Sequence, residues 1–468
     1  MNFQRNSWAP IFLSAWICVA LFSMWRILVQ SSDSSGAVAA GILLLASLAV
    51  SRYALGLAFT SAPLLYLALL GLFHLGLVVP WALGLYDIGR MPWFAPYGLS
   101  HAIALITYSI ISFQVGLLVA IGIRTSRAKP VPIDDRGIEN QHVFVAGFFL
   151  FLVGLIVFIA GLIRLDPVGY YRLSYSETFR LRAESDPRLF GMGLMIVFIG
   201  LCLSVAGASR RQLKITFVGA SLWVTFLFYL GFRGPALIAA LIVYAVAVKK
   251  EIRLPSWIPA LVVTLVLVAV PVMRFAREQP LNQRSLPNSL NEFNILDTPA
   301  EMGASIRPLI ETADLIGPGN YRFGRTYLIG IKAIAPNLAF RWEAPSTESV
   351  DDLPPGHWIT AMVDPWTYKN YGGIGFSAVA EPYMNFGAAG VVAYFLLLAF
   401  LLVRLEQASV RSSYALAIWA LVLGPLLWTT RNDSANFFRP AAWGLLCIGL
   451  VWAASQSYSL IVQRRGVE

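Results

Sequence analysis

The chain has 468 residues, of which 57% are hydrophobic and only 13% charged, with a mean hydropathy of +0.67. A soluble domain carries about a quarter charged residues, so a soluble protein is excluded and an all-α polytopic membrane protein is indicated. The net charge of +10 and isoelectric point near 9.6 would point to nucleic acid in a soluble chain. In a membrane protein, topology and anionic lipid explain the same balance, and no nucleic-acid partner is expected.

From the N-terminus, the apolar run Pro10 to Val29 is long enough to stay in the bilayer, and no small-residue cleavage site marks it as a removable signal. Apolar stretches of bilayer length then fall at about 9–29, 36–51, 61–83, 100–122, 141–163, 190–208, 214–232, 235–248, 257–273, 383–403, 413–429 and 437–456, about twelve spans in all. Cys18, Cys202 and Cys447 lie far apart inside apolar runs and indicate neither a disulfide framework nor a zinc site.

With the N-terminus in the cytoplasm, every inside loop is basic, from Arg52 through Arg124 to Arg136, Arg210 to Lys214, Lys249 to Arg253, Arg404 and Arg411, to Arg464 and Arg465. Both termini are therefore expected inside. The outer loops favour arginine, and of the lysines only Lys332 and Lys369 lie there. Guanidinium suits bidentate recognition of phosphate and carboxylate.

The division this implies is 1–273 for spans one to nine with short loops, 274–381 for a large outer loop, and 382–468 for the last three spans. The loop is polar, Arg-rich and aromatic, and only partly helical. Thr298, Pro299 and Glu301 have the spacing of a capping box with proline at the first helical position, and that helix should end near Gly317-Pro318-Gly319. An irregular segment follows with Trp342, Trp358, Trp366, Tyr368 and Tyr371 beside Asp351, Asp352 and Asp364. Loops this long are more often functional than idle.

Two segments carry a resemblance. Gly231-Phe232-Arg233-Gly234-Pro235, joining two spans, resembles the G-x-R-G junction of the bacterial O-antigen polysaccharide polymerases, the Wzy-type oligosaccharide repeat-unit polymerases. The run from Ser377 to Gly390, SAVAEPYMNFGAAG, is similar to the segment that enters the span after that family's large periplasmic loop. The layout of spans, a large loop in the second half and a terminal pair of spans with arginines at their outer turn is similar as well. The resemblance implies a GT-C-like glycosyltransferase of the bacterial inner membrane. It would transfer a growing glycan from undecaprenyl pyrophosphate to a new lipid-linked repeat unit on the periplasmic side, aided by a chain-length-regulating co-polymerase.

That chemistry sets requirements. A pyrophosphate leaving group needs fixed positive charge or a metal; no Asp-x-Asp, Walker A or HExxH sequence is present, so arginine is expected in place of metal, with no cofactor. Arg233 leads, because a charge in a tight turn at the bilayer is costly unless used; the alternative is a snorkelling helix-end arginine. Arg274 and Arg277, Arg431 and Arg439, Arg322 and Arg325, and Arg172, Arg180 and Arg182 among tyrosines are the further candidates, each equally readable as solvated or locally paired. The acceptor hydroxyl needs a base. Glu381, at the membrane edge, is first choice, against a helix-start glutamate that favours the macrodipole; His357 and Asp364 are reserves. His74 reads as a packed residue within a span, and His101 and His142 carry no partner signal. Trp342, Trp358, Trp366 and Tyr371 are candidates for stacking on sugars, or members of an interfacial aromatic belt. An O-antigen ligase and a lipid-linked oligosaccharide flippase remain as rival readings.

Overall fold

A computed structural model describes residues 8–29, 33–87, 89, 93–94, 98–123, 137–165, 167–174, 177–178, 181, 188–251, 279–280, 283, 294–335, 350–371 and 373–465. The expected span at 257–273, and with it Arg274, Arg277, Arg180, Arg182 and Trp342, lies outside these residues; Tyr371 is described in its backbone alone.

All regular structure among the described residues is helical. Before the long loop come α1 (Ala9–Leu28), α2 (Asp33–Ala49, continued by the wider turn Val50–Ala54), α3 (Ala62–Leu75), α4 (Val78–Ala82), α5 (Leu99–Gly122), α6 (Gly137–Arg164), α7 (Pro167–Arg172), α8 (Arg188–Gly207), α9 (Arg210–Tyr229) and α10 (Arg233–Lys249). The loop holds α11 (Asp297–Gly303), α12 (Ile306–Leu315), α13 (Arg325–Lys332), α14 (Pro355–Val363) and α15 (Pro365–Tyr371); α16 (Ala380–Ala408), α17 (Ser413–Trp428) and α18 (Ala435–Arg465) follow. Nine helices among the described residues are long and apolar enough to cross a bilayer. Two further expected spans are occupied by the 14-residue α3 and the 17-residue α10, both shorter than the roughly 20 residues a perpendicular crossing takes.

The chain divides into two compact units. The first comprises Met1–Arg127, Asn294–Glu406 and Leu427–Phe437; the second comprises Ala128–Phe293, Gln407–Leu426 and Phe438–Glu468. The described loop helices thus belong to the first unit, packed on its membrane helices.

The helix expected to start at a Thr298 cap begins earlier, at Asp297 after Leu296. Asp297 accepts from Tyr86 Oη at 3.2 Å and from the Asn294 amide at 3.2 Å, so a tertiary partner moved the boundary. Pro299 is then the third helical residue, where its missing N–H is one the helix would leave unpaired anyway. Nor does one helix run through to Gly317. The Pro308 ring would clash with the carbonyl of residue 304, and α11 stops at Gly303 before α12 restarts at Ile306.

In the second unit α6 and α8 lie in backbone contact. Glycine recurs every seven residues on each, at 147, 154 and 161 and at 193, 200 and 207. A Cβ on Gly147 would stand 2.2 Å from the Ser204 nitrogen, on Gly154 2.5 Å from that of Val197, and on Gly161 2.5 Å from that of Phe190. The falling partner numbers make the pair antiparallel, and small residues let bilayer helices approach this closely.

Candidate functional site

In the first unit the site is organised around a break in a span. Within α16, Gly387 adopts φ 66° and ψ −158°, a conformation open essentially to glycine alone. The break removes the helical donors for the carbonyls of Met384 and Asn385, and buried carbonyls need replacements. The loop supplies them. Arg322 N donates to Met384 O at 3.0 Å and Phe323 N to Asn385 O at 3.1 Å. The Asn385 side chain, fully buried, locks the same strap: its Oδ1 accepts from Gly324 N at 2.9 Å, and its Nδ2 donates to Thr326 Oγ1 at 2.7 Å and to Glu381 O at 2.9 Å.

Glu381 stands one turn before Asn385. It is 4% exposed, with Thr326 Oγ1 donating to Oε1 at 3.0 Å, Ser434 Oγ donating to Oε1 at 2.6 Å and Ser434 N donating to Oε2 at 2.8 Å. Both oxygens are therefore engaged, one tying α16 to α13 and both tying it to the turn before α18. Asp433 lies near enough for the two carboxylates to interact, and accepts from Gly356 N at 2.9 Å and Asn436 Nδ2 at 2.9 Å. Burial, with the Glu381 charge second, raises the Tyr327 phenol well above its usual range.

Ser377 lies in the turn that leads into α16, its Oγ accepting from the amides of Val379 and Ala380 at 3.1 and 3.2 Å. It meets His74 Nε2 at 2.7 Å, while His74 Nδ1 meets Leu70 O at 2.9 Å. The fully buried His74 is thus a tie between α3 and the loop. The backbone of the turn between α17 and α18 closes the ring, Phe376 N donating to Arg431 O at 2.9 Å. The Arg431 guanidinium stands over Phe73 at 5.6 Å and Trp428 at 5.9 Å.

The other expected residues fall in varied settings. Arg322 pairs with Asp351 at 2.8 Å and covers the buried Trp358 ring at 4.5 Å, and Arg325 pairs with Asp352. That face of Trp358 is therefore covered by a cation rather than open to a sugar, whereas Trp366 is 63% exposed. Asp364 caps α15, accepting from Thr367 N at 3.0 Å, with Arg307 3.7 Å away. The Thr367 amide, then Arg307, holds its carboxyl below the usual carboxylate range, which makes it a weaker proton acceptor. His357 is exposed, its ring 5.9 Å from that of Tyr368. Arg172 is exposed at the end of α7. Arg233, half-buried, opens α10 after Gly231, whose φ is 92°. Arg439 is exposed on α18. Among the described residues no three His, Cys, Asp or Glu side chains gather as a metal site.

Sequence reasoning missed Thr326, Asn385 and Ser434 as the partners of Glu381, and Gly387 as a break. Asn385 and Gly387 had a local signal, both lying within the family-like segment.

An all-helical multi-pass chain whose long loop between spans is hydrogen-bonded into a broken span belongs to the class of polytopic integral membrane proteins, in which non-helical backbone at membrane depth is tolerated where protein satisfies it. The chain belongs to the family of the O-antigen polysaccharide polymerase Wzy, whose family model matches residues 11–459. Its role is that of an O-antigen polymerase, an enzyme of the glycosyltransferase type acting on lipid-linked oligosaccharide repeat units. No curated protein and no solved structure matches the chain.

Proposed function

We propose that the protein polymerises undecaprenyl-pyrophosphate-linked oligosaccharide repeat units by inverting glycosyl transfer at the periplasmic face of the inner membrane, with both termini cytoplasmic. A GT-C-like mechanism without metal or cofactor follows, in which arginine stabilises the departing lipid pyrophosphate. The carrying observation is the strap at Gly387, because backbone that leaves helical geometry at membrane depth is tolerated where it borders protein or a cavity. Through that strap and the Glu381 brace the arginine-rich loop, the start of α16 and the turn holding Arg431 form one rigid face.

In the first unit Arg431, in the turn whose backbone accepts from Phe376 N, is the pyrophosphate ligand we favour; in the second, Arg233 is favoured. An apolar groove of about 270 Å³, lined by Met24, Tyr108, Ile111, Ser112, Val115, Val392 and Leu396, suits the isoprenoid chain of a substrate. Trp366 is the favoured sugar platform. We assign Glu381 to bracing, because both of its oxygens are engaged.

Complementation tests this reading. In a polymerase-null strain with matching repeat units, the wild-type gene should restore a polysaccharide ladder, and Arg431→Ala and Arg233→Ala, at equal membrane levels, should each leave single capped repeats. A null strain lacking even single capped repeats would place the defect in ligation or flipping and count against polymerisation.

A further inference from the structure

Two amphipathic loop helices dispose of their apolar faces differently. On α12 the apolar residues Ile306, Leu309 and Ile310 are buried in the protein. On α13 the buried residues are Thr326 and Gly330, whereas Leu328 is 58% and Ile331 48% exposed. Phe323, the residue before the Gly324 cap, is 75% exposed. It stands at φ 44°, a left-handed conformation that a bulky side chain adopts only at a cost. The strap accounts for that backbone, since Phe323 N donates to Asn385 O at 3.1 Å. It does not account for an exposed aromatic side chain where glycine or asparagine would fit more easily. Phe323 and Leu328 also hold the positions before the cap and at the fourth helical residue, which the start of a helix brings to one side.

The exposed face of α13 has two strips. At about 100° per residue, Ile331 and Leu328 fall together and Lys332 and Arg325 form the strip beside them. Lys332 is exposed, and the Arg325 side chain stays half exposed although it pairs with Asp352. An apolar strip bordered by cations on a short surface helix is the pattern of a helix lying in a membrane interface.

The apolar strip continues onto a span. A Cβ on Gly324 would stand 3.5 Å from Phe386 Cζ, and Phe386 is itself exposed. From Phe386 the exposed residues of α16 recur at Ala389, Ala393, Leu397 and Leu401, the spacing of one helix face and, on a membrane-crossing helix, the face turned to lipid. Arg404, over the Phe400 ring at 4.9 Å, marks the far end of that apolar run. The hydrocarbon core takes about 20 helical residues, and counting about that many back from Arg404 reaches Met384. Phe386, and with it Phe323 and α13, therefore stands at the loop-side boundary of the hydrocarbon layer. Exposed apolar patches mark protein or membrane contacts; continuity with a lipid-facing stripe, a boundary depth and a cationic border select the membrane.

We propose that Phe323 and α13 lie in the phospholipid leaflet on the loop side, with Phe323, Leu328 and Ile331 among the upper acyl chains and Lys332 and Arg325 at the level of the phosphates. The long loop is then not a water-borne domain throughout: one of its helices is part of the membrane surface. That helix carries Thr326, which donates to Glu381 Oε1 and accepts from Asn385 Nδ2, so contact with the leaflet seats the helix that braces the broken span.

The test uses full-length protein in nanodiscs of phosphatidylethanolamine and phosphatidylglycerol, with Cys18, Cys202 and Cys447 replaced by alanine and a spin label on Leu328→Cys, Ile331→Cys or Lys332→Cys. Power saturation with oxygen and with a water-soluble nickel chelate reads the depth of each label. Labels at 328 and 331 should lie about 5–10 Å into the headgroup–acyl boundary, relaxed more by oxygen than by the chelate, and the label at 332 should lie shallower. Labels at 328 and 331 that the chelate relaxes more than oxygen overturn the proposal. So does dipolar broadening between labels that vanishes on dilution with unlabelled protein, which would make the face a contact between two copies. If the cysteine-free protein does not fold, wild type crosslinked to a phospholipid with a diazirine near its headgroup decides. Adducts on Phe323, Leu328 or Ile331 support the proposal, and their absence while α16 carries adducts overturns it.

Discussion

Replacing Gly387 with alanine tests the strap directly. At φ 66° and ψ −158° a side chain costs on the order of 1–3 kcal/mol in backbone strain. The new Cβ would also lie 2.7 Å from Tyr321 Oη and 2.8 Å from Tyr321 Cζ, and an overpacked contact adds about 1–3 kcal/mol. The hydroxyl end of a tyrosine can move, so the lower half of that second range applies and the sum is about 3 kcal/mol. The alternative for the chain is to straighten α16, which returns the Met384 and Asn385 carbonyls to helical donors and strips Arg322 N and Phe323 N of their acceptors. Either way the strap is lost. Hydrogen exchange in detergent or nanodiscs should show the amides of Arg322, Phe323 and Gly324 losing protection by roughly a hundredfold, the equivalent of about 3 kcal/mol at a factor of ten per 1.4 kcal/mol. Polymerisation should fall with it, and Tyr321→Ala should recover only the steric share. Gly387→Ala with unchanged protection and activity would refute the argument that the break holds the loop.

Further outcomes follow from other contacts. Glu381→Gln keeps most of the bracing, since an amide can both accept from the Ser434 amide and donate to a hydroxyl, and it should retain a polysaccharide ladder; Glu381→Ala strands the donors of Thr326 and Ser434 and should lower unfolding stability by about 3 kcal/mol. A folded Glu381→Gln without polymer would return the carboxylate to the role of base. Asp364 is held below its ordinary value of 3.8, so its contribution to α15 is present above that pH and is lost as pH falls through the lower folded value. Protection of the Thr367 amide, its exchange taken relative to the intrinsic rate at each pH, should therefore fall below about pH 4 in wild type, and at neutral pH already in Asp364→Ala, where the lost cap costs about 1 kcal/mol. Gly154→Val drives a branched side chain at the Val197 backbone, 2.5 Å from the Cβ position. It should destabilise the α6–α8 pair by about 2 kcal/mol or more, read as a lower melting temperature in detergent, whereas the same change at Gly191, where a Cβ meets nothing within 4 Å, should be mild.

The membrane architecture was legible because its signal is local: apolar runs of bilayer length stand out in composition, and described helices occupy all the expected spans except 257–273. The heptad glycines of α6 and α8 were equally local and went unread, since a hydropathy count treats glycine as filler. The site was legible only in outline. Glu381 was locatable at the start of a span, but its partners Thr326 and Ser434 lie 55 and 53 residues away in sequence, and nothing near either residue marks the pairing. Thr298 misled because the capping pattern was present, but Tyr86 fixed Asp297 and moved the helix start. Arg322 and Arg325 were legible as candidate phosphate ligands, with solvation or local pairing as the alternative, but not the pairing with Asp351 and Asp352, which lie 29 and 27 residues away in sequence.

The most direct test of the account is reconstitution. Purified wild-type protein in liposomes, given a single defined undecaprenyl-pyrophosphate-linked repeat unit with an α-linked donor sugar, should build a ladder of oligomers on the lipid. The new linkage, read by NMR, should be β, with undecaprenyl pyrophosphate released once per bond. Retention of the α configuration would contradict inverting transfer, and release of no lipid pyrophosphate while oligomers grow would contradict the donor itself.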